Sequence, residues 1–532
     1  MHLLNLTPTV PWLSLIWLSL LLASLIIAFL PTPRPDLIRW IGTGAALLTL
    51  ILSLLVLFGY DSARGGMQFA EQLDWVPQLG IGYLLGVDGI SLPLLVLNGC
   101  IIFSGALMSW TIDQHLKEYW ILLLLLAMSA YGVLIALDLF LLLFCYQLTL
   151  LLLFALAVLS HQEDQVVGAI RLTLYTMAGS AAVIMGLLAL YFGSGLRTFN
   201  MLELAHTLTL DPHLQVSFFP PLFVGFALLA GLFPFRTWLP IGHLPAPTAV
   251  SMLHAAVLLK LGSYGCLRVA LWLMPHGAQQ WRWLIILLAL LFIVYAAAML
   301  IVQRDFSAII GYVSAIHIGL IIMALSALSP EALSGAVLHM FVHGLMIALL
   351  LAVVGHMLTG GVGTPVSAAA GFRGRVPSVP AILVIIGGLA ALGLPGLAGF
   401  PALWRIFSGV WVRDAWLVVI AAIAVLIGAG ALARATYRTF FTRIEPEATQ
   451  PAVPNLPTET EPEQGPQPQP APAPRLSWQI YTGGTLLAAL LLLIGLYPAM
   501  LTGLIESGIT PVVQQLDSVR DLAELAGLAG EP

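Results

Sequence analysis

The chain has 532 residues, of which 60% are hydrophobic and only 8% are charged, and its 20 Lys and Arg against 25 Asp and Glu give a net charge of −5. A soluble globular domain carries about 25% charged residues, so this composition excludes that class, and it also excludes disorder for most of the chain. Without a basic cluster the charge balance excludes a nucleic-acid-binding surface, and the mean hydropathy of +1.00 indicates a chain that lies in a lipid bilayer.

Apolar runs long enough to span a membrane recur along the whole chain. A spanning helix needs about 20 mainly apolar residues, whereas the strands of a membrane barrel would alternate over about ten residues. We therefore predict an all-α polytopic membrane protein with fourteen transmembrane helices. In chain order they cover 12–30, 39–59, 87–110, 119–136, 138–160, 168–193, 219–238, 247–272, 282–302, 306–328, 332–358, 379–410, 415–440 and 478–499.

The positions of Lys and Arg residues outside these runs predict the orientation, because they are enriched on the cytoplasmic side. The connections after odd-numbered helices hold most of them, and those after even-numbered helices hold only Arg64, Arg197, Arg268, Arg282 and Arg413, with Arg520 in the tail. We expect both termini on the non-cytoplasmic side of a bacterial inner membrane. The first run lacks a preceding basic segment and is too long for the apolar part of a signal peptide, so we expect it to be retained.

Two segments near the C-terminus differ from the rest of the chain. Residues 445–475 are rich in Pro, Glu and Gln, which cannot build a core, and they predict a disordered cytoplasmic linker. Residues 511–528 place apolar residues at helical spacing beside charges. This pattern predicts an amphipathic helix at the membrane interface.

Two of the predicted helices contain prolines near their middles, at Pro234 and Pro240 in one and at Pro395 and Pro401 in the other. Proline removes a main-chain hydrogen bond, and the freed carbonyl groups are tolerated at membrane depth only against protein or water. Broken helices at corresponding places in two halves indicate the inverted repeats of a transporter. The alternative is that the prolines only kink helices that pack against each other.

Ionisable side chains inside the predicted helices are the next functional signal, since each is costly in lipid. Lys260 lies in the middle of its helix, too deep to reach either interface, and that helix offers no Asp or Glu as a partner. His254, His317, His339 and His343 also lie within helices, the last two on one helix face. Imidazoles exchange protons near neutral pH, so these groups joined by water predict a proton path. The alternative for each histidine is a hydrogen bond to a neighbouring helix.

Six motifs occur in a characteristic order. They are LGVDGISLPL (85–94), RLTLYTMAGSAAV (171–183), FPFRTWLPIGHLPAPTAVSMLHAAVLLKLGSYGCLR (233–268), VQRDFSAIIGYVSAIHIG (302–319), HMFVHG (339–344) and LGLPGLAGFPALW (392–404). From about residue 80 to 445 the chain resembles the antiporter-like membrane subunits of proton-pumping NADH:quinone oxidoreductase, complex I, and most of all subunit M. Related subunits occur in Mrp-type sodium/proton antiporters, membrane hydrogenases and inorganic-carbon uptake complexes.

This resemblance implies an architecture of fourteen helices in which helices 4–8 and 9–13 form two inverted five-helix repeats, with breaks in helices 7 and 12. It divides the chain into N-terminal helices 1–3 (1–118), a first antiporter-like repeat (119–272), a second antiporter-like repeat (282–441), the Pro-rich linker (445–475) and a last helix with an amphipathic tail (478–532).

The resemblance also implies the site. Lys260 matches the central proton-relay lysine, and His317 and His343 match the relay histidines of helices 10 and 11. His254, on the helix of Lys260, is a further relay candidate. Redox chemistry and its cofactors are expected in other subunits, so the implied partners are the other membrane subunits and the bilayer, and we expect no bound cofactor or metal in this chain.

Three positions depart from the family pattern. Gln147 stands where the family has a glutamate in helix 5, Leu229 where it has a lysine in helix 7, and Leu403 where helix 12 carries an acidic group, with Arg405 as the nearest ionisable residue. Losing one member of a buried ion pair costs about 3–5 kcal/mol, whereas losing both can be neutral. The chain is therefore predicted to retain a central Lys–His segment with an incomplete standard proton path. Alternatives are a cation/proton antiporter or carbon-uptake subunit, or a structural paralogue that does not pump.

Overall fold

The computed structural model describes residues 10–30, 34–159, 163–207, 210–232, 247–359, 378–441 and 478–525, and the structural statements below concern these residues. The helices are α1 (Trp12–Phe29), α2 (Pro35–Gly59), α3 (Ser91–Met108), α4 (Leu116–Ile135), α5 (Leu139–Val158), α6 (Glu163–Gly193), α7 (Met201–Thr207), α8 (Pro212–Leu229), α9 (Thr248–Leu271), α10 (Pro275–Gln280), α11 (Arg282–Val302), α12 (Phe306–Ser326), α13 (Pro330–Thr359), α14 (Ser378–Leu392), α15 (Gly399–Phe440), α16 (Trp478–Leu496) and α17 (Ala499–Leu525), and the strands are β1 (Gln68–Val76) and β2 (Ile81–Val87).

The nearly all-helical architecture confirms the predicted fold class. Within the described ranges, 12 helices are long and apolar enough to cross a membrane, or 13 if the bent pair formed by α16 and α17 counts as one span. The 42-residue α15 includes a non-helical residue, Asp414, which lies between the predicted twelfth and thirteenth spans. The count of fourteen and the inverted repeats stay predictions.

The outer helices of the bundle present large apolar side chains on their outer surface. Leu22 is 59% exposed, Phe58 is 73% exposed and Leu426 is 61% exposed. Contiguous apolar surface of this kind is costly in water and suits a lipid environment. By contrast, the most apolar stretches of α9, α12 and α13 are completely enclosed by the rest of the chain. These three interior helices carry the candidate relay residues.

A β-hairpin lies between α2 and α3, in a connection for which the sequence analysis predicted no element. β1 and β2 pair antiparallel, with Gln68 opposite Val87 and Val76 opposite Ile81, and the connection turns at Gly80, whose φ is 65°. The third helix begins at Ser91 rather than at the predicted residue 87. The helix starts at Ser91 because Asp88 accepts hydrogen bonds from the main-chain nitrogens of Ile90 and Ser91.

The predicted break in helix 12 is present. α14 ends at Leu392 and α15 begins at Gly399, and the connection around Pro395 contains Gly393 and Gly396 with φ of 78° and 91°. These angles are accessible to glycine at little cost. The other predicted break, at Pro234 and Pro240, lies outside the described residues, as does the linker 445–475. α8, the helix before that break, begins at Pro212, seven residues before its predicted start at 219.

The predicted amphipathic tail helix begins at Ala499 rather than at residue 511 and turns 77° away from α16. It lies across one end of the bundle. The side-chain amide of Gln515 donates to the carbonyl of Ala205 (2.6 Å), and that of Gln279 donates to the carbonyl of Leu516 (2.9 Å). α17 therefore joins α7 and α10, which are far apart in sequence, at the same end of the molecule.

Candidate functional site

Lys260 lies in the interior helix α9, with 2% of its surface exposed. α9 packs against α3, α4, α8 and α13, and it contains two π-helical segments, His254–Leu258 and Cys266–Leu271. In the first segment the main-chain nitrogen of Leu259 donates to the carbonyl of His254, whereas in an α-helix it would donate to Ala255. The carbonyl oxygen of Ala255 instead accepts a hydrogen bond from the Lys260 ammonium, at 2.5 Å.

Three histidines from two helices form one buried cluster. His317 of α12 and His339 and His343 of α13 are each at most 2% exposed. Nδ1 of His317 and Nε2 of His339 are 2.9 Å apart, and the rings are roughly parallel, with centroids 5.0 to 6.0 Å apart. Although the sequence singled out His339 for its spacing from His343, the family resemblance did not place it in the relay. Only the structure shows that it bonds directly to His317.

Lys260 and the histidine cluster lie on neighbouring interior helices, since α9 packs against α13 and α13 packs against α12. The structure thus places three of the four relay candidates, Lys260, His317 and His343, on these three helices and adds His339. The fourth, His254, is buried in the first π-helical segment of α9. Its part in a relay stays a prediction.

The planes of the three imidazoles are roughly parallel, and His317 and His339 meet through the edges of their rings. Within the described ranges, no group of three or more His, Cys, Asp or Glu side chains is arranged to hold a metal ion. With one ring nitrogen donating and the other accepting, the His317–His339 contact is a neutral hydrogen bond. The geometry suits proton exchange between the rings more than ligation of a cation.

The three positions that depart from the family pattern carry no charge in the fold. Leu229 and Leu403 are each 5% exposed, and Leu403 packs where a side chain on Gly393 would lie. Gln147 is half-buried in α5. The structure therefore has apolar packing at two of the usually charged positions and a neutral amide at the third.

A buried ion pair that the sequence analysis did not predict lies at the C-terminal end of α9. Arg268 and Asp88 are 2.5 Å apart, and their side chains are 2% and 4% exposed. Arg268 had been counted among the cations of a connection between helices, but it lies inside α9, and this count was wrong. Asp88 and Arg268 both occur in the motifs quoted above. Their pairing could not be read from the sequence because 180 residues separate them.

Three further ion pairs join elements that are separate in sequence. Arg405 contacts Glu506 of α17 at 2.7 Å and Glu331 of α13 at 3.6 Å, and Arg282 pairs with Asp414, which is 4% exposed. Arg405 therefore stands beside two carboxylates that other helices supply.

Comparison with known proteins identifies the family of this chain. The family model described as the NADH:quinone oxidoreductase/Mrp antiporter transmembrane region matches residues 136–428, more than half of the chain. The chain belongs to this family. It is 29% identical to NADH-quinone oxidoreductase subunit M of Rhodobacter capsulatus over 92% of each chain. It is also 31% identical to NAD(P)H-quinone oxidoreductase chain 4 of Gloeobacter violaceus over 79% of each.

The fold of this family member is also that of a solved structure. A chain of respiratory complex I from Thermus thermophilus superimposes with a TM-score of 0.76, covering 93% of this chain and 99% of that one at 24% identity. At this identity the likeness concerns the fold alone. The chain is a multi-span membrane protein of the oxidoreductase and antiporter family, and its residues Gln147, Leu229 and Leu403 make it a divergent member.

Proposed function

We propose that this chain is a membrane-arm subunit of a complex I-type NADH:quinone oxidoreductase, and that it contributes to proton translocation while electrons move in other subunits. The observation that carries the proposal is Lys260, an ammonium group buried in α9, which packs against the helix that supplies two members of a buried cluster of three imidazoles. The names of the relatives support the assignment to such a complex, in which the partners would be other membrane subunits.

The burial of Lys260 needs a functional reason because a charged side chain at membrane depth costs several kcal/mol. The ammonium of Lys260 donates to the main-chain carbonyl of Ala255, an acceptor that carries no negative charge. A side chain that only had to donate a hydrogen bond to this carbonyl group would not need to be ionisable. A neutral side chain would avoid the cost of burying a charge. The ability of Lys260 to gain and lose a proton is the property that distinguishes it from such a side chain.

The histidine cluster supplies the next step of the route. A proton can pass between His317 and His339 across the 2.9 Å contact between their ring nitrogens. The other ring nitrogen of His339, Nδ1, is buried with no hydrogen-bond partner among the described residues. Buried polar atoms of this kind are usually satisfied by ordered water, so Nδ1 is the atom at which a water molecule would continue the route.

The proposed proton route covers only the central segment formed by Lys260 and the histidines. The neutral side chains at Gln147, Leu229 and Leu403 remove the usual charged groups before and after the lysine, which favours either conduction along the Lys–His segment or a structural role without pumping. We further propose a bacterial inner membrane with both termini on the non-cytoplasmic side, and two repeats over 119–272 and 282–441.

The test compares the two lysines of the chain in the assembled complex. Inverted membrane vesicles that carry Lys260→Met are given NADH, and quinone reduction and vesicle acidification are measured together. We expect acidification per electron pair to fall several-fold. The control is Lys117→Met, a change in the first turn of α4, which should leave it unchanged. Unaltered coupling in Lys260→Met would establish the structural role instead, and sodium-dependent transport would establish the antiporter alternative.

A further inference from the structure

The Asp88–Arg268 ion pair lies on the helix that carries Lys260. Arg268 follows Lys260 by eight residues and Tyr264 by four, so the three share one side of α9. The ε-nitrogen of Arg268 donates to the hydroxyl of Tyr264 at 3.4 Å. At a rise of about 1.5 Å per residue, the Cα atoms of Lys260 and Arg268 are about 12 Å apart along the buried helix.

Asp88 is held in place from two further directions. Its Oδ1 caps α3 through Ile90 and Ser91, both at 3.0 Å, which leaves Oδ2 for Arg268. The next residue, Gly89, touches α17 so closely that a β-carbon there would lie 1.8 Å from the carbonyl of Leu504. The carboxylate is thus fixed at a junction of α3, α9 and α17 and cannot leave Arg268 without a shift of these helices.

Charged and titratable groups occur on α9 and on the elements next to it. They are His254, Tyr264 and Arg268 on α9, His339 and His343 on α13, Tyr131 on α4 and Asp88 before α3, with His317 of α12 in contact with His339. Tyr60 also lies near the ion pair, and burial raises its pKa to about 12, so it adds no charge.

We propose that the Asp88–Arg268 ion pair sets the pH at which Lys260 takes up and releases its proton, because Asp88 cancels the positive charge that Arg268 would otherwise exert along α9. This inference rests on the proposed function, since it concerns the proton carried by Lys260. Two unit charges about 12 Å apart at an effective dielectric constant of about 20 shift a titration midpoint by about one pH unit. Asp88 and Arg268 are then positioning residues, which act through Lys260.

Substitutions of Asp88 and Arg268 are expected to shift the pH midpoint in opposite directions. A role in stability alone would not produce opposite shifts. Asp88→Asn keeps an oxygen to cap α3 but leaves Arg268 uncompensated, so the pH at half-maximal proton translocation should fall by about one unit. Arg268→Gln leaves the carboxylate uncompensated and should raise that pH. The double variant Asp88→Asn/Arg268→Gln removes both charges and should restore the midpoint of the unaltered complex.

The measurement is the pH profile of NADH-driven acidification in vesicles that contain the assembled complex. Asp414→Asn is the matched control, because it removes the carboxylate of another buried ion pair far from α9 in sequence, and it should leave the midpoint unchanged. Where one single variant fails to assemble, the other single variant compared with the double variant decides in the same way.

The outcomes of this experiment distinguish failure of the inference from failure of the proposed function on which it rests. If Lys260→Met abolishes coupled acidification but Asp88→Asn and Arg268→Gln shift the midpoint in the same direction or not at all, the inference is wrong and the proposed function stands. Failure of the double variant to restore the midpoint would also overturn the inference. If Lys260→Met leaves coupling unchanged, the proposed function fails and the inference fails with it.

Discussion

The ammonium of Lys260 donates to the carbonyl oxygen of Ala255, five residues earlier on the same helix, at 2.5 Å. This contact depends on the π-helical turn of α9, in which the main-chain nitrogen of Leu259 bonds to His254 instead of Ala255. π turns of this kind are frequent at functional sites. The helix thereby supplies a main-chain acceptor for its own buried ammonium.

Substituting Lys260 by arginine tests whether proton exchange, rather than positive charge, is what this position requires. Arginine keeps the charge but does not release its proton in proteins. We expect Lys260→Arg to lower acidification per electron pair about as much as Lys260→Met does, while Lys117→Arg has no effect. Full retention of coupling in Lys260→Arg would show that only the charge matters. The measurement is dye-reported acidification of vesicles at matched rates of quinone reduction.

His339 is expected to matter as much as His317, although the family resemblance pointed only to His317 and His343. Its ring is bonded to His317 at 2.9 Å, so removal of the imidazole interrupts the exchange between α12 and α13. We expect His339→Gln to reduce coupled acidification several-fold, as Lys260→Met does, because a positioned proton-transfer group is lost. His213→Gln, at the start of α8, serves as the control. Equal coupling in the two variants would remove His339 from the route.

Gly262 is required for the close packing of α9 on α8. A β-carbon at this position would lie 2.4 Å from the main-chain nitrogen of Ala230 and 2.6 Å from the carbonyl of Phe226. Since these are main-chain atoms that cannot rotate away, Gly262→Ala should destabilise the subunit by about 1–3 kcal/mol. Gly44→Ala is the matched control, because nothing lies within 4 Å of its added carbon. The thermal stability of the purified complex is measured, and similar values for both variants would contradict this packing.

Asp138 joins the β-hairpin to the corner between α4 and α5. Its side chain accepts hydrogen bonds from the main-chain nitrogens of Phe140, Leu141 and Gly82, at 2.9, 3.0 and 3.0 Å. Asp138→Ala leaves these donors without a partner and should cost about 1–3 kcal/mol of stability, and Asp138→Asn should recover much of it.

Asp211, the cap of α8, provides a comparison for Asp138. It accepts one exposed hydrogen bond, from the main-chain nitrogen of His213. Asp211→Ala is therefore expected to lower the thermal midpoint of the complex less than Asp138→Ala. An equal or larger loss in Asp211→Ala would show that the link from Asp138 to the hairpin contributes little.

The fold class and several site residues could be predicted because they depend on local properties of the chain. Runs of about 20 apolar residues fix where helices can cross a bilayer, and Lys260 stands out because its helix contains no acidic partner. The break at Pro395 followed from the loss of a main-chain donor. The hairpin was missed because its strands are too short to span a membrane, and the period of such a short run does not distinguish strand from helix.

The sequence by itself determined a membrane-embedded helical bundle with a lysine and histidines at depth, since hydropathy and the cost of buried charge act on each segment separately. Only the tertiary structure decided which of these groups meet. The bond between His317 and His339, the carbonyl of Ala255 at Lys260 and the pairing of Asp88 with Arg268 depend on helix rotation, on a π turn and on contacts across 180 residues. These features arise from packing among helices whose surfaces are almost uniformly apolar, so no local pattern specifies them.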